Sequence, residues 1–577
     1  MIGSDAIVEM LIRLGVEDVF GVPGDTSMNF HDAFARNIGK INHIVCRDER
    51  NAAYMADGYA KIKGKPGVVE VPSGGGALYA VPGVSEANES YIPLVCICSD
   101  ITMSSEETGA LTDVDQVHLF KSITKWNTKI RLASKIPDVM RKAFRMAVSG
   151  RPGAVHISIP ENIHGQEITF TPEELAGADF TCHTSSVRTH PCPEDIEKVS
   201  TLLSRAKRPV IIAGGGVHLS GAYEELESFI HNCQVPVATT VNGKGSIGEM
   251  SPLAIGVIGA NGGADETNQV VKEADLVLVL GSKLNNVTTV GKDIFSGKPI
   301  VIQVDINEEM IDANIRVALP VMSDIRTFLT DFTAAIQRGR IETAQGLLQW
   351  NARVQELIQE KQGRIAQENS KTGELVNPAK IFSILEKITD ENTIYTADAG
   401  TPTPYLAAHL RLKKAGRHTV LTRSHGSLGY ALPAAIGAKV AKPEATVISM
   451  FGDGSFGMAV GDLETAARIG LPVIFINFQN NSYGWIKTIQ NLYYKENYMA
   501  VDFTHIDAVK IAEGFGVRGK RIDKDSELES GLRWALEQKQ PVLLDIMIEP
   551  PTSVIPPVVK WLKDAKVAPE NRKKLTY

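Results

Sequence analysis

Asp453 stands between two glycines, Gly452 and Gly454, in "ISMFGDGSF", and Gln479, Asn480 and Asn481 close the apolar run "PVIFINF" about one helix and one strand later. Both groups fall at the tips of predicted strands. Glycines let a backbone come close to a phosphate, and Ser455 can open the following helix, whose first N–H groups favour an anion. A carboxylate, an amide oxygen and backbone carbonyls are hard ligands. They suit a Mg²⁺ ion that keeps phosphate oxygens in its shell. The chemistry implied is a cation and a phosphorylated ligand held between two strand ends.

One repeated pattern has to position these groups. A short β-branched run, often opened by Pro, ends in a Gly/Ser/Asp turn and leads into a helical segment. The first group of runs is "EDVFGVPGD", "NHIVCRDE", "PGVVEVPSGGG", "IPLVCICSD" and "GAVHISIPEN". The second is "RPVIIAGGGV", "VPVATTVNG", "ADLVLVLGSK" and "KPIVIQVDIN". The third is "NTIYTADAGT", "ATVISMFGDG", "LPVIFINFQNN" and "PVLLDIMIEP". Apolar strands alternating with helices predict an α/β fold of doubly wound parallel sheets covered on both faces. Polar stretches separate the groups, so three domains are expected, at 1–165, 190–340 and 375–550. The second separator carries a long connecting helix. The tail 551–577 contains "SVIPPVVKWL", too apolar for a free end, and is expected to dock as a lid.

Composition narrows the function classes. The chain has 577 residues, 43% hydrophobic and 22% charged, with a formal net charge of −7. That is an ordinary globular mixture, long enough for several cores. No basic stripe suggests nucleic acid, and no apolar run reaches membrane-spanning length. The amphipathic start carries early acids, unlike a signal or transit peptide, and six cysteines without a CxxC pair form no disulfide framework. A cytoplasmic protein is expected.

The Gly-Asp-Gly turn paired with the downstream Asn resembles the thiamine diphosphate (ThDP)-dependent decarboxylase and acetolactate synthase family. The resemblance covers nearly the whole chain, and it implies pyrimidine-binding, middle and diphosphate-binding domains. The family's metal-binding Asn lies 27 positions after the Asp, which is Asn480 here; Gln479 replaces the usual preceding Asn, and Asn481 comes one position late. The implied Mg²⁺ ligands are Asp453, Asn480 and the carbonyl of Ser482, with Tyr483 beside the cofactor. "CRDERNAAYMADGYA" resembles the pyrimidine-binding segment, making Glu49 the carboxylate that bonds the pyrimidine N1′. In "SHGSLGYALPAAIGA", Leu428 matches the apolar wedge that folds the cofactor into a V, with Gly426 beside it. Gly400 and Thr401 of "TADAGTPTP" match a second diphosphate loop. The family also implies a homodimer or homotetramer with sites at the subunit interface.

Three local features bear on the reaction. Asp25, in "FGVPGDTSM", stands where simple 2-oxo acid decarboxylases carry an acid able to protonate the product carbanion. The His-His pair of those enzymes is missing from "SSEETGALTDVDQVHLFKSITKW", where Leu111-Thr112 replaces a Phe-Gln element of the synthase branch. Trp485 and Ile486, in "SYGWIK", would line an apolar acceptor pocket. In the middle domain, "GSKLNNVTT" lacks the acids of FAD-binding relatives, which argues against FAD. "KLNN" resembles the nucleotide-binding acyl-CoA lyase branch, and a nucleotide there stays open. The leading expectation is a decarboxylating carboligase of 2-oxo acids, similar to acetolactate synthase. The alternatives are a non-oxidative 2-oxo acid decarboxylase, a 2-hydroxyacyl(-CoA) lyase and, last, a non-catalytic subunit of the same fold.

Overall fold

The computed structural model describes residues 1–176, 188–339 and 346–574. Three six-stranded sheets carry the chain, and every strand pairing within them is parallel. The first contains β1 (Asp18–Gly21), β2 (Asn42–Val45), β3 (Gly67–Val71), β4 (Leu94–Asp100), β5 (Trp126–Lys129) and β6 (Ala154–Pro160), in the order β2-β1-β3-β4-β6-β5. The second contains β7 (Pro209–Ala213), β8 (Val237–Thr239), β9 (Ala254–Val257), β10 (Leu276–Leu280), β11 (Ile300–Asp305) and β12 (Leu319–Met322), in the order β12-β11-β10-β7-β8-β9. The third contains β13 (Ile394–Ala397), β14 (Thr419–Leu421), β15 (Val447–Gly452), β16 (Val473–Gln479), β17 (Arg518–Ile522) and β18 (Val542–Met547), in the order β14-β13-β15-β16-β18-β17.

The first and third sheets therefore share one topology, with the direction of winding reversing beside β1 and beside β13. The second has the 3-2-1-4-5-6 order of dinucleotide-binding folds, reversing between β7 and β10. Inner strands such as β4, β6 and β10 are buried along their whole length, as the unbroken Leu/Val run of β10 requires. Helices cover them with apolar stripes. In Ile136–Val148, the buried Ile136, Met140, Ala143, Phe144 and Ala147 recur at helical spacing, and Pro137 sits in the first turn, where its missing N–H costs nothing. The connecting helix runs Leu348–Ser370.

The first and third domains are joined by two helices of small residues, Glu49–Lys63 and Ala431–Ala441. A Cβ added at Gly437 would lie 1.9 Å from the Met55 carbonyl oxygen, and one at Gly58 2.3 Å from that of Ala434. The close approach is possible only because both positions are glycine. A buried ion pair within the first helix is tied across the same interface: Lys61 Nζ lies 2.7 Å from Asp57 and donates to the Leu421 carbonyl and Tyr430 Oη, while Tyr430 donates to Asp57. Among the described residues, no helix is long and apolar enough to cross a membrane, and the cysteines are unpaired.

Candidate functional site

The turn after β15 is built around one carboxylate. Gly452 caps the helix Asp453–Ala459, so this helix opens at Asp453 itself and Ser455 lies in its first turn, a register two residues earlier than the sequence suggests. Asp453 is buried. Its Oδ2 accepts from the backbone N–H of Asn480 (2.9 Å) and of Ser482 (3.3 Å), drawing the end of β16 against the end of β15. Its Oδ1 is buried with no partner. Burial pushes this carboxyl up to about 6, against the pull of the two N–H groups. A desolvated carboxylate with one oxygen unmatched fits a cation, and Asn480 supplies a neighbouring amide oxygen, itself accepting from Ser482 Oγ at 2.7 Å.

The residues around this pair divide into two sets. Asn481 has φ +54°, and its side-chain oxygen lies 3.2 Å from Gln479 Nε2 and 3.3 Å from His505 Nδ1. Gln479, fully buried, also donates to the Ile506 carbonyl and accepts from Arg521. Asn481 and Gln479 thus tie down the strand end, while Asn480 and Ser482 share contacts with Asp453. Tyr483 packs under Gly454, where an added Cβ would lie 2.3 Å from its ring, and its own ring meets Phe503 edge-on.

Two further loops close on this turn. Asp398, buried at the end of β13, accepts from the N–H of Gly429 (3.2 Å), Tyr430 (2.9 Å) and Ala431 (2.9 Å). Burial pushes it up to about 6, with Ser455 and these N–H groups pulling the other way. It therefore joins the loop of Gly400 and Thr401, the loop of Gly426 and Leu428, and the first turn holding Asp453. Gly400 has φ +97°, and a Cβ there would stand 3.8 Å from the Cβ of Trp485; Gly426 has φ +67°. Leu428 is half-buried beside them. Trp485 turns its ring onto Trp561, with centroids 4.3 Å apart, and Ile486 is exposed. Trp561 belongs to the tail helix Val559–Asp564, which is docked: Val559 N–H donates to Ala260, Gly262 N–H to Pro557, and Tyr493 to Asp564.

Glu49 opens the helix Glu49–Lys63. Asp48 caps it, accepting from the N–H of Arg50 and Asn51. Asp462 of the third domain grips the same segment, accepting from Arg47 N–H (3.0 Å) and Asn51 Nδ2 (2.6 Å). Glu49 is half-buried, and its Oε1 is 3.3 Å from where a Cβ on Gly76 would stand. Desolvation raises its pKa, helped by the charges of Asp48 and Glu70. Among the described residues, its carboxylate has no bond to the Asp453 turn of this chain. Asp25 begins a short 3-10 helix and is exposed. Next to it, Thr26 and Thr112 both hydrogen-bond Ser73 Oγ, at 3.1 and 2.8 Å; Thr112 has φ +68°. The structure thus brings together Asp453, Asn480, Ser482, Tyr483, Gly400, Gly426 and Leu428, while Glu49, Asp25 and Thr112 lie on the first domain.

Comparison with known proteins agrees with this architecture. The thiamine pyrophosphate enzyme N-terminal TPP binding domain matches residues 1–119, the central domain 196–332, and the C-terminal TPP binding domain 398–546. The chain belongs to the thiamine pyrophosphate enzyme family. It is 33% identical to a probable acetolactate synthase large subunit of Methanocaldococcus jannaschii, over 99% of this chain and 97% of that one. It is 30% identical to the acetolactate synthase large subunit of Haemophilus influenzae, over 96% of each. It is also 30% identical to the mitochondrial acetolactate synthase catalytic subunit of Saccharomyces cerevisiae, over 96% of this chain and 82% of that one. This thiamine pyrophosphate enzyme is thus related to acetolactate synthase along its whole length.

The family's central domain holds a cavity of about 240 Å³ at the β7/β10 reversal, lined by Gly215, Gly281, Ser282, Lys283 and Asn285. The stretch after β10 lacks acids, yet Asp305 and Asp324, from the ends of β11 and β12, reach the same cavity. Burial pushes Asp305 up to about 6. Sequence reasoning missed Asp398, Asp462 and these two acids. Asp398 had a visible signal, a strand-end Asp two residues before Gly400, at a strand tip like that of Asp453.

Proposed function

We propose that this enzyme is a ThDP- and Mg²⁺-dependent decarboxylating carboligase of 2-oxo acids, of the acetolactate synthase type. The observation that carries the reading is the unmatched, buried Asp453 Oδ1 beside the Asn480 amide, in a chain related to acetolactate synthases from end to end. Asp453, Asn480 and the Ser482 carbonyl would hold Mg²⁺ and, through it, the diphosphate. Bound ThDP supplies a carbanion at its thiazolium C2. Glu49, kept more readily protonated by its desolvated position, holds a proton at the pyrimidine N1′. Leu428 would pack against the cofactor as its apolar wedge, and Gly400, Thr401 and Gly426 would leave room for the diphosphate. Trp485 and Ile486 favour an organic acceptor over water, whereas the exposed Asp25 is the acid that would deliver a proton and release aldehyde.

The same reading has the enzyme work as a homodimer or a pair of dimers. Glu49 is anchored by Asp48 and Asp462 at a point where it has no bond to this chain's Asp453 turn, so a second subunit would supply the other half of each site. It also has the enzyme work without FAD, since the loop after β10 offers no Arg-Asp pair. A flavin spectrum in the purified protein would overturn that part.

The deciding experiment supplies purified enzyme, ThDP and Mg²⁺ with a panel of 2-oxo acids, with and without a second oxo acid or aldehyde. Carbon dioxide, free aldehyde and 2-hydroxyketone are measured by mass spectrometry. Ligated product should dominate when an acceptor is present, and Asp25→Asn should cut aldehyde release more than ligation. Aldehyde alone at every acceptor concentration would make the enzyme a simple decarboxylase. Cleavage of 2-hydroxyacyl-CoA thioesters but of no 2-oxo acid would make it a lyase.

A further inference from the structure

On the first sheet, three side chains from three elements converge away from the cofactor-binding turns described above. His31 comes from the helix Met28–Ala35, His43 from β2 and Glu70 from β3. Glu70 Oε1 lies 2.8 Å from His43 Nε2 and 3.2 Å from His31 Nε2. The two imidazole rings stand edge to face, with centroids 4.7 Å apart. The candidate ligand atoms all lie within 4.8 Å of one another, and among the described residues no other such group of His, Cys, Asp and Glu occurs.

Glu70 is the odd member of its strand. Its neighbours are Val68, Val69 and Val71, and its side chain is 1% exposed. Its Oε2 is buried with no partner. His31 Nε2, although close to Oε1, lacks the alignment of a hydrogen bond and is equally unmatched. Strands deplete Glu, and buried carboxylates occur almost only with a partner that balances them. The charge of this carboxylate is met by one hydrogen bond, from His43 Nε2 at 2.8 Å, and among the described residues no Lys or Arg pairs with it.

A divalent cation would balance that charge and use the unmatched atoms. Two imidazole nitrogens and one carboxylate are the donor set of zinc-type ions. Metal–ligand bonds of about 2.0–2.1 Å in a tetrahedral shell place ligand atoms roughly 3.3 Å apart. The spacings of 2.8 and 3.2 Å need to open by only a few tenths of an ångström. His43 and His31 are 10% and 19% exposed, which leaves an entry path and a place for water as a fourth ligand. Gly21 keeps the room: a Cβ there would stand 2.3 Å from Glu70 Oε1.

We infer that His31, His43 and Glu70 form a binding site for one divalent transition-metal ion of the Zn²⁺ class, separate from the Mg²⁺ site around Asp453. The ion ties β2, β3 and the helix Met28–Ala35 together two residues before Pro72, and Pro72 packs against both Gly24 and Gly76. Its position makes it a brace for the turns that carry Asp25 and face Glu49.

The test uses full-length protein stripped with a chelator and then supplied with ThDP and excess Mg²⁺, so that the Asp453 turn is filled. Zn²⁺ is titrated against a chromophoric competitor, and Co²⁺ is added separately to read its visible absorption. Wild-type protein should take up one Zn²⁺ per chain, with a rise in thermal midpoint. Glu70→Gln and, separately, His31→Gln should weaken uptake at least ~100-fold, the upper end of what loss of an outer-shell partner alone costs. The exposed His190→Gln should bind like wild type. His31 sits partly exposed on a helix, so its variant decides the matter even where Glu70→Gln fails to fold. No Zn²⁺ uptake by the wild type in excess Mg²⁺, or coincident titrations for wild type and His31→Gln, would overturn the assignment.

Discussion

Asp453→Asn separates what the Asp453 carboxylate does for ligands from what it does to the fold. The folded protein holds this carboxyl at about 6 instead of 3.8, mainly through burial. A carboxyl raised on folding is ionised more readily in the unfolded chain, so its ionisation works against the fold. That penalty is absent below about pH 4, grows as pH rises, and is complete above about pH 6 to 7. The shift corresponds to about 3 kcal/mol at most. Asn removes the titration. Its amide nitrogen takes the place of the unmatched Oδ1 and adds a cost of about 1–3 kcal/mol, but that cost does not vary with pH. The difference in stability between variant and wild type should therefore move by up to about 3 kcal/mol in the variant's favour between pH 4 and pH 7.5. The assay is the thermal midpoint of ligand-free protein in chelator across this range, read at about 2–4 °C per kcal/mol for a domain of this size. Asp398 is present in both proteins, so its own shift cancels. Adding Mg²⁺ and ThDP should restore stability to the wild type only, because ligands that bind the native state stabilise it by mass action. Parallel pH curves for the two proteins would refute the reasoning, and so would equal stabilisation by the ligands.

Three other perturbations have definite signs. Asn480→Ala should raise the Mg²⁺ and ThDP concentrations needed for half-maximal turnover, and Asn481→Ala should raise them far less; identical titrations would show that the cation is held differently. Glu49→Gln should leave ThDP bound, by calorimetry, while turnover falls at least ~10²-fold, and near-normal turnover would remove Glu49 from the chemistry. Gly437→Ala should destabilise by about 1–3 kcal/mol or more, since the new Cβ meets Met55 backbone at 1.9 Å, whereas Gly363→Ala, in the open middle of a helix, should stabilise by about 0.8–1 kcal/mol. Chemical denaturation of both variants checks the pair, and a common sign would discredit the close-packing argument.

The strands that hydrophobic runs revealed and those they did not differ in position. Every inner strand was visible as an apolar run, because both of its faces are covered. β5, β9, β12, β14 and β17 gave no such run, and all five lie on sheet edges. β5 is half-buried throughout, and β12 alternates buried and exposed residues. β14 is buried, but it is only three residues long. An edge strand has neighbours on one side only, and its sequence is correspondingly mixed or short. The parallel α/β class was legible because it is set by the inner strands. The full topology was not, and with it the shared order of the first and third sheets stayed hidden.

The polar residues divide along a similar line. Asp453 announces itself because glycines flank it and a second polar turn follows at fixed distance, so its spacing alone carries information. Asp462, in "VGDLETAA", has the look of an ordinary helix cap, yet it fastens Arg47 and Asn51 on another domain. Glu86 reads as a surface helix residue, yet it is fully buried and accepts from the N–H groups of Arg423, Ser424 and His425, the last at 2.9 Å. Desolvation alone would push Glu86 up, but Lys61 and these N–H groups hold it below the usual carboxylate range. Each of these acids accepts from another domain's segment more than 300 residues away in sequence, so no local pattern can reveal it. Their common task explains their type: a loop at a domain junction has backbone N–H groups with no strand to pair with, and a buried carboxylate can satisfy two or three of them at once. Asp398 does this for the loop carrying Leu428 and Glu86 for the segment just before it, while Asp462 holds the segment carrying Glu49 through one backbone N–H and the Asn51 amide. The groups proposed to touch the cofactor are thus set by short motifs, while the rigidity of the loops that hold them rests on acids that only the folded chain brings into place.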